Sequence, residues 1–116
     1  MRAVELAKQL GKALAESDEF RKYQQAKTAL EGHEAARLML EDFRQKQLEY
    51  QQKKLNGAKF LEPYETELQK LSTAIGLNPF LRDYIMAEMA FSGLMMEVQK
   101  QIGAPVGLHF PEPGGE

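Results

Sequence analysis

The chain has 116 residues, 43% of them apolar, and a formal net charge of −2. That is enough for one domain with a single modest core, and too balanced for the basic footprint of a nucleic-acid binder. There is no Cys, which excludes disulfides, thiolate metal sites and a Cys nucleophile. No stretch approaches the ~18 consecutive apolar residues of a membrane span, and the opening Met1-Arg2-Ala3-Val4-Glu5 lacks the apolar core of a signal peptide. A cytoplasmic protein with no membrane partner is expected.

Residues 2–16 carry Ala3, Ala7, Leu10 and Leu14 on one helical stripe, with Leu6 and Ala13 beside it. Ser17 then reads as an N-cap, with Asp18 and Glu19 in a first turn where the helix dipole favours anions. Phe20, Tyr23 and Leu30 follow at helical spacing. Gly32 costs about 1 kcal/mol inside a helix relative to Ala, so a break or kink is expected there.

A helical pattern resumes from Glu34 to Leu55. Ala36, Met39, Leu40, Phe43 and Tyr50 form its core stripe, but the second half is polar and leaves only Leu48, Tyr50 and Leu55 to bury. Long straight-chain residues favour helix without a core, so this half reads as a projecting arm that packs thinly. Arg37, Arg44, Lys46, Lys53 and Lys54 share the segment with Glu34, Glu41, Asp42 and Glu49, a mixture typical of a solvated helix surface. The alternative is a phosphate-binding track.

Asn56-Gly57 signals a chain reversal. Pro63 then opens a helix with Tyr64, Leu68, Leu71 and Ile75 on one stripe. Gly76 suits a left-handed C-terminal cap, with Leu77 folding back onto Leu71. The last helix starts at once, with Asn78 as cap and Pro79 in the first turn. It runs to Ile102 before Gly103, about 24 residues and about 36 Å.

This last helix has two apolar faces. Tyr84, Phe91, Leu94, Met95, Val98 and Ile102 form a broad one, and Ile85, Met89 and Met96 a narrower one, with Glu88, Ser92 and Gln99 between them. One neighbouring hairpin covers one face, so a second face calls for a second body, and self-association is the expected answer. Met86, Met89, Met95 and Met96 suit a core or dimer interface, or else an adaptable groove. From Gly103 the chain holds four Gly and three Pro, so residues 104–116 form a non-helical tail on a single helical domain of residues 1–103. Val106, Leu108 and Phe110 in this tail are candidates to dock on the domain.

Candidate chemistry is sparse. His33 and His109 have no His or Cys partner at ligand spacing, so neither a metal nor another cofactor is expected. No nucleophile motif, phosphate-cradling loop or paired carboxylates are present. Glu88, lying between the two apolar strips, is the one carboxylate placed for a raised pKa as a general acid. The plainer reading is an interface ion pair with an Arg or Lys of the long helix.

FRQKQLEYQQKKLNG (Phe43 to Gly57) and, some twenty residues on, NPFLRDYIMAEMAFSGLMMEV (Asn78 to Val98) resemble the YheA branch of the YlbF/YmcA family. ALAESDEFRKYQQAKTAL (Ala13 to Leu30) is similar to that family's N-terminal motif. The resemblance implies a small all-helical bacterial protein that forms a homodimer through long helices. It also implies a regulatory partner rather than an enzyme. YlbF and YmcA join a third protein in a complex that supports ribonuclease Y in mRNA maturation and affects competence, biofilm formation and sporulation. That complex is associated with iron–sulfur clusters held by Cys. The present chain departs there, which favours the YheA-like branch.

The expected fold is therefore all-α: an elongated bundle of four to five helices with a long hairpin, dimerising through long helices. The expected function is that of a non-enzymatic adaptor that pairs with itself and with another regulatory protein. The alternative is a nucleic-acid-associated protein using the basic residues of 34–54. The dimer interface is assigned to Tyr84, Ile85, Glu88, Met89, Phe91, Leu94, Met95, Val98 and Ile102, and the partner surface to Gln45, Gln51, Gln52, Lys53 and Lys54.

Overall fold

A computed structural model describes residues 1–109. They form five α-helices, α1 (Arg2–Ala15), α2 (Asp18–Glu31), α3 (Glu34–Leu55), α4 (Glu62–Leu77) and α5 (Pro79–Gly103), followed by one 3-10 turn at Ala104–Val106. No strand occurs among the described residues. The all-α expectation holds. Phe110, one of the three tail residues expected to dock, lies outside the described residues.

The punctuation is set by local chemistry. Ser17 serves two helices: its hydroxyl donates to the Leu14 carbonyl at 2.7 Å and accepts the Phe20 amide at 3.2 Å, closing α1 and capping α2. Gly32 falls in the break between α2 and α3, where the His33 amide returns to the Leu30 carbonyl at 2.9 Å. α3 ends on a left-handed glycine, Gly57 at φ +73°, with the Ala58 amide reaching back to the Lys53 carbonyl at 3.0 Å. This five-residue return is the bond that closes a Schellman cap.

At Gly76 the structure departs from expectation. α4 runs through Gly76 and Leu77 and stops at Asn78, whose extended backbone (φ −92°, ψ 116°) turns the chain. No left-handed residue is needed, and Leu77, 78% exposed, does not fold back. The residue before a proline is steered to extended geometry, and here that steering ends the helix. The Asn78 side chain caps α5 as expected, accepting the Phe80 and Leu81 amides at 3.0 and 3.2 Å. At the other end of α5 the left-handed residue is Gly107 (φ +73°), with the Leu108 amide bonded to the Gly103 carbonyl at 2.9 Å. The helix therefore gives way gradually through the 3-10 turn.

The described residues group into two compact units, residues 26–85 and residues 1–25 with 86–109. The first holds a conventional core of Leu30, Ala36, Leu40, Ile75, Leu81 and Tyr84, with Leu81 fully buried. Within it α3 and α4 pair as the expected hairpin. The second unit centres on Phe91, whose ring lies 5.2 Å from Phe20 (tilted 50°) and 5.8 Å from Tyr23 (nearly parallel, 13°). Such geometries suit the aromatic quadrupole.

Candidate partner surfaces

Unit 1–25/86–109 has helices without a conventional core. Among its described residues no large side chain is buried, and Gly103 alone is buried. Leu10, Leu14, Phe20, Tyr23, Phe91, Leu94, Met95, Met96 and Val98 are half-buried. Val4, Leu6, Met86, Met89, Ile102, Val106 and Leu108 stand about half to two-thirds exposed. The two apolar strips read from the sequence do not separate as wholes, since Met96 of the narrow one is half-buried and Ile102 of the broad one is exposed. Phe91 is engaged by rings of its own chain, whereas Met89, 67% exposed, faces outward. Glu88 is half-buried and engaged in an interaction of its own.

Tyr84 and Ile85 fall in the other unit. Tyr84 is only 6% exposed, with the Arg44 guanidinium 5.8 Å above its ring. It floors a cavity of about 170 Å³ together with Leu30 and Leu40, under a rim that includes Arg37, Glu41 and Arg44. Arg37 and Glu41 pair across one helical turn at 3.1 Å, so the rim carries both cations and carboxylates.

The arm is tied to α4 by polar contacts that sequence periodicity did not disclose. Lys46 Nζ lies 2.9 Å from Asp42 and 3.2 Å from Glu67, the Tyr50 hydroxyl donates to Glu65 at 2.8 Å, and Lys53 sits 5.1 Å over the Tyr64 ring. Partner positions fall along α4 as they climb along α3, so the hairpin is antiparallel. Hydrogen bonds that the Lys46 ammonium donates to Asp42 and Glu67 hold it above its ordinary pKa, and donation to Glu65 does the same for the Tyr50 phenol. Of the expected partner-surface residues, Gln45, Gln51, Gln52 and Lys54 are exposed and Lys53 is half-buried. Gln45 bonds Glu49 at 3.3 Å along its own helix. Leu48 and Leu55 are 51% and 86% exposed, so the apolar side of the arm is largely uncovered.

His33 occupies the N-cap position of α3 without capping it. Its ring instead stacks on Phe80, with centroids 3.6 Å apart. Among the described residues no group of three or more His, Cys, Asp or Glu stands close enough to hold a metal ion. No helix there is long and apolar enough to cross a membrane. An iron–sulfur cluster needs thiolates, and the chain has none to offer.

These features define an all-helical protein with exposed apolar side chains on α1, α3 and α5. The chain belongs to the YlbF/YmcA family, described as control of competence regulator ComK, whose sequence model matches residues 3–107. A YheA-like assignment is consistent with that membership. The chain is similar to UPF0342 proteins of Caldicellulosiruptor saccharolyticus (36% identical over 104 residues, 90% of this chain and 87% of the relative) and Desulfitobacterium hafniense (36% over 106 residues, 91% and 86%). Among solved structures it resembles a DUF964 protein of unknown function from Bacillus stearothermophilus. There the TM-score is 0.79 and the identity 26%, over 92% of this chain and 94% of that one. It shares its fold with Bacillus subtilis RicA, whose structure was determined in complex with RicF (TM-score 0.68, 20% identity, 91% and 94% coverage).

Proposed function

We propose that the protein is a regulatory adaptor without catalytic activity of its own, acting as a homodimer and docking a further regulatory protein. The observation that carries this reading is the missing core of unit 1–25/86–109. A set of helices with no large buried side chain, and with Met86, Met89, Ile102 and Val106 each more than half exposed, leaves apolar surface of the kind that marks an interaction site. A second copy supplies the matching surface by symmetry. The assigned interface narrows accordingly to Met89, Leu94, Met95, Val98 and Ile102, since Tyr84 and Ile85 fall in the other unit and Phe91 and Glu88 are engaged within their own chain. The fold shared with RicA, solved bound to RicF, supports a protein partner.

The nucleic-acid alternative finds less support. Arg37 and Lys46 each lie beside a carboxylate at 3.1 Å or less, and a cation so paired is a poorer phosphate ligand.

Light scattering together with affinity capture from bacterial extract tests the proposal. The wild type is expected to be a dimer and to retain a protein that the Gln51, Gln52, Lys53 and Lys54→Ala variant does not. A monomer at low micromolar concentration overturns the dimer. Retention of RNA at low salt but not at moderate salt, with no protein captured, overturns the adaptor reading.

A further inference from the structure

The loop joining α3 to α4 carries side chains that neither the core nor the hairpin pairing accounts for. Phe60 is 89% exposed and Leu55 86%, the two most exposed large apolar side chains after Met1 among the described residues. Phe60 also holds φ at +66°, the one non-glycine residue with positive φ among those described. A bulky side chain there is an outlier that costs free energy, and a ring left almost wholly in water returns little to the fold. The tip segment itself is basic, with carboxylates only at its two flanks, Glu49 and Glu62. From Tyr50 to Leu61 the chain has Lys53, Lys54 and Lys59 and no carboxylate. Lys53 and Lys54 also suit the negative end of the α3 dipole, which accounts for two of the cations but not for Lys59 or the apolar pair. Lys53 is partly spent over Tyr64, whereas Lys54 and Lys59 are exposed.

We propose that this tip is an interfacial anchor for an anionic lipid surface, with Leu55 and Phe60 entering the headgroup–acyl boundary and Lys54 and Lys59 against headgroup phosphates. A protein groove is a poorer match. Two such side chains offer about 300 Å² together, well short of the ~800 Å² per partner that a specific protein contact buries. A lipid surface demands no matching shape, only apolar insertion beside cations attracted to its negative potential. Attachment of this kind is shallow and reversible, and it needs no spanning helix.

The test is sedimentation of the full chain with vesicles of phosphatidylcholine alone or mixed with phosphatidylglycerol, at low and moderate salt. The wild type is expected to sediment with the mixed vesicles only, and less as salt rises, because screening shortens the reach of the lysines. Lys54→Gln with Lys59→Gln should weaken binding about tenfold or more.

Phe60→Gly is the decisive variant. It removes the inserted ring while placing at φ +66° the residue that best tolerates it, so Tm should hold or rise while vesicle binding falls about tenfold. Wild-type protein that fails to sediment with mixed vesicles, or binds neutral vesicles equally, overturns the proposal. So does Phe60→Gly binding like the wild type. A Phe60→Gly variant that becomes monomeric in light scattering would assign the tip to contact between copies and overturn it too.

Discussion

The imidazole of His33 and the ring of Phe80 stack with centroids 3.6 Å apart and planes 25° apart. The first residue precedes α3 and the second lies in the opening turn of α5, so the pair ties two helix starts together. Phe80 is itself held by Asn78, whose side chain accepts the Phe80 amide. One cap therefore orders a ring, and that ring orders a histidine that forgoes capping its own helix. His33 belongs to the structure of the 26–85 unit rather than to a site.

A double-mutant cycle tests that coupling. His33→Ala and Phe80→Ala should each destabilise, and the pair should show a coupling of about 0.5–1.5 kcal/mol in urea titrations, the range for aromatic contacts beyond burial. Additive losses would mean the rings are merely neighbours.

The α4–α5 junction gives two changes of opposite sign. Asn78→Ala removes the acceptor for two amides and should cost about 0.5–2 kcal/mol. Gly76→Ala should instead stabilise, by about 0.5–1 kcal/mol. Gly76 is helical, and a Cβ built on it meets nothing within 4 Å. A loss on Gly76→Ala would restore the left-handed cap that its sequence position suggests.

That junction also marks what was legible in the sequence. Caps at Ser17 and Asn78, the break at Gly32 and the reversal at Gly57 were readable because each depends on a few adjacent residues. Gly76 misled for the same reason. Taken locally, a glycine after an apolar stripe is a cap, and only the extended Asn78 before Pro79 makes it unnecessary. The core stripes of α3 and α4 followed from periodicity. The links of Lys46 to Glu67, Tyr50 to Glu65 and His33 to Phe80 did not, because they join residues far apart in sequence and need the hairpin register first. On α5 the periodicity gave both apolar strips. It could not say that Phe91 would be occupied by Phe20 and Tyr23 while Met89 stayed outside.

Alkaline pH should loosen the α3–α4 hairpin. Both Lys46 and Tyr50 have pKa values raised above their ordinary 10.5 and 10.0 by carboxylate partners on α4 and α3. For groups shifted upward on folding, the stabilisation is fully present below the unfolded pKa and is lost as pH rises through the folded one. Tm should therefore hold to about pH 9 and fall above about pH 10. Tyr50→Phe should flatten part of that fall and remove a late-titrating component from the phenolate absorbance. A Tm unchanged into strong alkali would mean these contacts do not persist in solution.

The last prediction separates the two units. Leu81 is fully buried, so Leu81→Ala should cost about 2–5 kcal/mol whatever the protein concentration. Met89 is 67% exposed in a single chain, so Met89→Asp has little to break there. If a second copy covers Met89, the substitution buries an unpaired charge only in the dimer, where the penalty is steep. Wild-type Tm should then rise with concentration over about a hundredfold range, because association stabilises the folded chain by mass action. Met89→Asp should abolish that rise and leave a folded monomer by light scattering and circular dichroism. Phe91→Asp is the less informative change. Its ring already packs on Phe20 and Tyr23, so it would damage the monomer and the dimer together. A Met89→Asp protein that stays dimeric, with Tm still rising with concentration, would exclude this strip from the interface and leave the exposed residues of α1, Val4 and Leu6, as the surface to test.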